Sequence, residues 1–115
     1  MTVTIYHNPR CSKSRQTLQL LRERGIEPTI IEHLQTPPGR TELADILRQL
    51  DLQPRQLMRR KEAEYKAAGL DDEGLSDDQL VAAMSEYPKL IERPIVLANG
   101  RAALGRPPED VLEIL

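Results

Sequence analysis

Within its first segment of about 30 residues the chain reads strand, helix, strand, a βαβ unit whose two strands should pair in parallel. Val3-Thr4-Ile5-Tyr6 is a β-branched and aromatic run that Asn8-Pro9 breaks. From Ser12 the pattern turns helical: Ser14, Leu18 and Leu21 recur at near-helical spacing, and Gly25 stops the helix before Ile26. Pro28 to Glu32 supplies the second strand. Whatever else the chain does, it starts from a βαβ unit.

The remainder narrows the choice. Thr36-Pro37-Pro38-Gly39 is a loop, and Leu43, Ile46, Leu47 and Leu50 behind it form an amphipathic stripe. Pro54 is expected to open a short helix through Met58, and Glu62 to Ala68 a further one. Ser76-Asp77-Asp78-Gln79 has the form of a capping box, with Leu80, Met84 and Tyr87 as the buried face behind it. Pro94-Ile95-Val96-Leu97 and Ala102-Ala103-Leu104 flank Asn99-Gly100, a two-residue hairpin signal. Pro107-Pro108-Glu109-Asp110 then starts a last helix. The order is βαβ, a helical insertion over about 39–90, then ββα. That order predicts an α/β fold of thioredoxin/glutaredoxin-like topology, a mixed four-stranded sheet with helices on its faces. At 115 residues, the chain is expected to be a single domain, 1–115.

Composition removes several function classes. With no Trp, no Phe and 3 Tyr, the core must be aliphatic. A net charge of -2 and a pI of about 5.7 argue against a nucleic-acid binder. No apolar run approaches the ~18 residues of a membrane span, and the N-terminus lacks the form of a signal peptide. The single cysteine cannot form an internal disulfide. A cytoplasmic protein, and a monomer, is expected. One Cys and 2 His at these spacings do not make a metal site, and no bound cofactor is expected.

Cys11 carries the chemistry. It falls where the first strand has ended and the first helix begins, and free amides there, with the helix dipole, stabilise an anion. A thiolate at such a place has its pKa drawn below the ~8.5 of a free thiol. Arg10, Lys13 and Arg15 add positive charge. A lone cysteine is more often a small buried hydrophobe. The polar, cationic run Asn8-Pro9-Arg10-Cys11-Ser12-Lys13-Ser14-Arg15 argues against that here. The same helix start could cradle an oxyanion, with Ser12, Ser14, Arg15 and the neighbouring amides as donors.

Arg93 precedes Pro94 at the mouth of the third strand, a candidate cis proline facing the cysteine loop. Arg106, within Gly105-Arg106-Pro107-Pro108, follows the fourth strand and could point to the same end of the sheet. Taken singly, each of these arginines is more readily a surface residue than a ligand. Arg59 and Arg60 are adjacent on a helix and so face different ways; residue type does not separate them. His7 ends the first strand, where an imidazolium would support a thiolate; a partly exposed strand-end histidine is the bland alternative. His33, after the second strand, carries no assigned role.

Taken together, Ile5-Tyr6-His7-Asn8-Pro9, Cys11-Ser12-Lys13-Ser14-Arg15, Thr36-Pro37-Pro38, Leu57-Met58-Arg59-Arg60, Arg93-Pro94-Ile95-Val96 and Gly105-Arg106-Pro107 resemble the glutaredoxin-linked arsenate reductases of bacteria over essentially the whole chain. The resemblance implies that Cys11 attacks arsenate to form a thioarsenate adduct. Glutathione, as co-substrate, would add to the arsenic, and the dithiol of glutaredoxin would complete reduction to arsenite. It further implies that Arg59, Arg93 and Arg106 hold the oxyanion and that His7 supports the low thiol pKa; the choice of Arg59 over Arg60 rests on it alone. The chain departs from the pattern in having Ser12-Lys13 where the best-known plasmid-type members have Gly-Thr, and in stopping at Leu115 where several members continue. Two other readings stand beside it: a glutathione-dependent thiol reductase without arsenic chemistry, and a non-catalytic redox regulator. The regulators usually carry Cys-x-x-Cys, and Ser14 occupies the second position here.

Overall fold

The computed structural model describes residues 2–115. The chain divides into two compact units: one runs up to Thr36 and resumes as Arg93–Leu115, the other is Pro37–Glu92.

The first unit is built on strands β1 (Val3–His7), β2 (Thr29–Glu32), β3 (Ile95–Ala98) and β4 (Arg101–Leu104), in the order β2-β1-β3-β4. β1 pairs in parallel with β2 and antiparallel with β3, and β3 pairs antiparallel with β4. Helix α1 (Ser12–Glu23) crosses between β1 and β2. Its Leu18 and Leu21 join Val3, Ile5, Val96, Ala98, Val111 and Ile114 in one aliphatic core. Burial of each such Val, Leu or Ile contributes about 1.5–3 kcal/mol. Asn99 and Gly100 turn the β3–β4 hairpin with φ of 56° and 70°, the left-handed pair that a tight two-residue turn requires. The mixed sheet is thioredoxin-like.

Register fixes where the chemistry can gather. His7 pairs with Glu32, Tyr6 with Ile95, and Ile95 with Leu104. The ends of β1, β2 and β4 and the start of β3 therefore lie along one edge of the sheet. Cys11, His33, Arg93 and Arg106 all sit within a few residues of that edge.

The second unit is helical: α2 (Arg40–Leu50), α3 (Pro54–Leu57), α4 (Ala63–Ala67) and α5 (Asp77–Glu86), with a 3₁₀ turn at Pro88–Leu90. Leu43, Ile46 and Leu47 are the buried face of α2. Ser76 caps α5, its Oγ accepting from the Gln79 amide at 3.2 Å while Gln79 Oε1 accepts from the Ser76 amide at 2.8 Å. Met58 and Ile91 form an isolated antiparallel bridge. Arg55 fastens the loop after α4, donating to Tyr65 Oη at 2.5 Å, the Leu70 carbonyl at 2.6 Å and the Asp72 carbonyl at 2.6 Å.

Two expectations need correcting. Tyr87 does not continue the buried face of Leu80 and Met84. The helix ends at Glu86, Tyr87 takes φ -122°, ψ 77°, and the residue is 36% exposed. The last helix is 3₁₀, Pro108–Ile114. Pro107 and Pro108 bring no amide donors to its start, and seven residues leave little length for an α-helical ladder. No helix among the described residues is long and apolar enough to cross a membrane.

Candidate active site

Cys11 is the N-cap residue of α1, with φ -93° and ψ 124°. Its amide donates to the Asn8 carbonyl at 3.0 Å and its carbonyl accepts from the Arg15 amide at 3.0 Å. The thiol thus occupies the place where Ser or Asp would ordinarily cap a helix, although it closes no capping bond of strict geometry. Partial burial pushes the Cys11 thiol up. The Ser14 amide, the Arg93 side chain through a hydrogen bond and its charge, and the Lys13 amide outweigh that, leaving the pKa below its ordinary value. The anionic form is favoured by dipole and guanidinium together.

The loop before Cys11 is rigid by construction. Ser14 is fully buried, and its Oγ accepts the Asn8 amide at 3.0 Å while lying 2.6 Å from His7 Nδ1. Asn8 Oδ1 accepts the Arg10 amide at 3.0 Å, and Arg15 donates to the Pro9 carbonyl at 2.9 Å. These bonds change the parts two residues were expected to play. The Ser14 hydroxyl is spent inside the protein, so Ser14 offers the cysteine its amide alone. His7 is 6% exposed and burial pushes its pKa below 6.5, the Glu32 charge opposing this and Arg22 and Arg15 adding to it. A neutral ring cannot act as the imidazolium beside the sulfur; it braces Ser14 instead. Ser12, the first residue of α1, is exposed, as is Arg15.

Arg93 reaches the cysteine from the start of β3. The Arg93–Pro94 peptide is cis, and so is Arg106–Pro107. Arg106 donates to the Arg93 carbonyl at 3.3 Å, and the Gly105 amide to the Pro94 carbonyl at 2.9 Å. Gly105 is required by space, since a Cβ there would stand 2.6 Å from Thr17 Oγ1 and 2.7 Å from Pro94 Cγ. The absence of a side chain lets the strand end close on both the proline and α1.

Arg59 belongs to the helical unit. Its Nε is 3.2 Å from Glu62 Oε1 and one terminal nitrogen is 2.9 Å from Glu92 Oε1, so two carboxylates hold the guanidinium. Among the described residues no group of His, Cys, Asp and Glu could hold a metal ion.

Sequence reasoning passed over His33. It is 1% exposed, and burial, followed by the Arg93 charge, drives its pKa down to about 4. The signal was present in the topology: parallel strands bring the ends of β1 and β2 to the same edge, and His33 directly follows β2.

Residues 6–114 match the ArsC family model. The chain belongs to the ArsC family. Among ArsC relatives, the arsenate reductase of Neisseria meningitidis serogroup A is 51% identical over 98% of this chain and 97% of its own. The uncharacterised protein YfgD of Escherichia coli K12 is 55% identical over 98% of this chain and 96% of its own. The solved structure of an arsenate reductase from Vibrio cholerae superposes with a TM-score of 0.97 at 59% identity, covering 100% of this chain and 98% of that one. An ArsC-related structure from Bacteroides fragilis, 21% identical, shares the fold with a TM-score of 0.78 over 90% of this chain and 91% of its own.

Proposed function

We propose that this ArsC protein reduces arsenate to arsenite, with Cys11 as nucleophile and glutathione and glutaredoxin as electron donors. The observation that carries the reading is the Cys11 sulfur at a helix N-terminus with the Arg93 guanidinium on it. Relatives named arsenate reductase at about half identity over nearly the whole chain support it.

In this reading the Cys11 thiolate attacks arsenic, an S–As bond forms and an arsenate oxygen leaves as water after protonation. The oxyanion charge is met by the α1 amides and by Arg93 and Arg106, whose planar forks suit a tetrahedral oxyanion. A glutathione thiol then displaces a second oxygen, giving arsenic(V) bonded to both sulfurs. A glutaredoxin thiolate attacks the glutathione sulfur, and the S–As bond breaks toward arsenic. That electron pair reduces arsenic(V) to arsenic(III), leaving a glutaredoxin–glutathione mixed disulfide. Water releases arsenite and returns the Cys11 thiol. The neutral His7 contributes by holding Ser14, and through it the start of α1.

The test follows NADPH consumption in a mixture of arsenate, glutathione, glutathione reductase and glutaredoxin. Arsenate-dependent turnover is expected, falling by about a thousandfold or more in Cys11→Ser, as when a nucleophile is removed. Turnover only with glutathione mixed disulfides would replace this reading by that of a thiol reductase. Binding of a large protein partner without any turnover would replace it by that of a regulator.

A further inference from the structure

A hollow of about 360 Å³ opens in the sheet unit beside the cysteine loop. One stretch of its wall is Asn8-Pro9-Arg10, just past β1; the other is Glu32, Leu34 and Gln35, at the end of β2 and beyond. Strand register brings the two stretches together, because His7 at the end of β1 pairs with Glu32 at the end of β2. The hollow adjoins the nucleophile. Arg10 precedes Cys11 in the chain, and the Cys11 amide donates to the Asn8 carbonyl at 3.0 Å.

The wall carries two opposite charges that do not cancel each other. Arg10 and Glu32 are both exposed, and among the described residues no ion pair engages the guanidinium of one or the carboxylate of the other. Leu34, 37% exposed, adds apolar surface, and the exposed Gln35 brings an amide that can donate and accept. Such a hollow suits a ligand that bears both signs on a short aliphatic stem. Its volume is at the small end of the ~300–1,000 Å³ of ligand pockets, the size for a short peptide rather than a protein surface.

We propose that this hollow is the glutathione subsite, with the γ-glutamyl ammonium on Glu32, its α-carboxylate on Arg10, its two methylenes against Leu34 and Pro9, and its cysteinyl sulfur directed at Cys11. The γ-glutamyl end is the part of glutathione that carries both signs on one carbon; the glycine end carries one. Arg10 can meet the α-carboxylate with two parallel hydrogen bonds. Three linked residues extend to about 10 Å, enough to reach from the hollow to the neighbouring sulfur. Anchoring by this end leaves the thiol free to displace an oxygen from arsenic on Cys11. The inference rests on the proposed glutathione-dependent reduction.

The test uses two analogues that each lack one charge. Glutaryl-Cys-Gly has no ammonium, and 4-aminobutyryl-Cys-Gly has no α-carboxylate. Arsenite formation is followed directly with excess reduced glutaredoxin, whose own preference among the peptides is the same for every variant. In Glu32→Gln the KM for glutathione should rise about fivefold, the worth of an exposed ion pair at the upper end of its range, while that for glutaryl-Cys-Gly stays put. Arg10→Gln should do the same, with 4-aminobutyryl-Cys-Gly as the unaffected peptide. No rise for glutathione, or equal rises for glutathione and the matched analogue, overturns the assignment. A rise in the KM for glutaredoxin alone gives the hollow to the protein donor and overturns it too.

Should the wild-type protein form no arsenite, the function reading fails, and the hollow is judged on binding alone. S-methylglutathione, which cannot react, is titrated into the ¹⁵N-labelled protein. Saturable shifts at the Asn8, Arg10, Leu34 and Gln35 amides, with affinity about fivefold weaker in each variant, uphold the site. No saturation, or shifts confined elsewhere, refutes it.

Discussion

Arg55 and Arg59 in the helical unit and Arg93 in the sheet unit are used in opposite ways. In the helical unit Arg55 donates to one hydroxyl and two carbonyls, and Arg59 is held by Glu62 and Glu92. In the sheet unit Arg93 faces the Cys11 sulfur, and Arg106 donates to the Arg93 carbonyl. A guanidinium saturated by protein acceptors is a strut; one turned toward a thiolate is, in the proposed function, a reagent-binding group. Residue type is the same in both, and partners make the difference.

The sharpest way to break that contrast is at Gly105, where an added side chain has no room. Gly105→Ala pushes a methyl group into Thr17 and Pro94. A loss of about 3 kcal/mol or more is expected in urea unfolding, beyond the usual cost of overpacking because the neighbours are a ring and a β-branched side chain. Cys11 alkylation should slow in the same variant as the β3 start shifts. A variant as stable and as reactive as wild type would show that the strand end is not held by that contact.

Arg55→Ala probes the strut. Losing three acceptor contacts, two of them partly buried, should cost about 2 kcal/mol in thermal or urea unfolding. The pH midpoint of Cys11 alkylation should stay where it is, below the ordinary thiol range. A midpoint that moves back toward ~8.5 would mean the arginines of the two units are not separable in function.

The smallest effect separates the units by pH. Both histidines, His7 and His33, lie in the sheet unit and both have folded pKa values below 6.5, His33 at about 4. The unfolded chain therefore binds more protons than the folded one once pH falls below 6.5. Their contribution is complete above that value and is lost as pH drops toward the folded pKa values. The slope is at most about 1.4 kcal/mol per pH unit for each histidine. Urea midpoints measured from neutral pH down to about 5 should fall, and His33→Gln should flatten the fall. An unaltered slope in that variant would place the acid sensitivity elsewhere.

Much of the fold was legible because it is written in local signals. β-branched runs, Gly25 after a helical stretch, Asn99-Gly100 and the Ser76–Gln79 box each specify an element within a few residues. Cys11 was legible for the same reason, being a polar-flanked cysteine at a strand-to-helix junction. What escaped was set by partners distant in sequence. Ser14 looks like a loop donor until the fold brings His7 and Asn8 onto its hydroxyl, and His7 looks like a cation until burial neutralises it. His33 gave no local sign at all, since its surroundings come from the register of β2 on β1 and from Arg93 sixty residues later. Tyr87 fits a helical period that the chain abandons one residue too soon.

A chain with one cysteine has no second thiol of its own on which to park an oxidising equivalent. Enzymes with a resolving cysteine can close an internal bridge and wait; this one cannot. If peroxide converts Cys11 to a sulfenic acid, rescue has to come from a free thiol in solution before further oxidation makes the damage permanent. Its working life is therefore tied to the surrounding thiol pool.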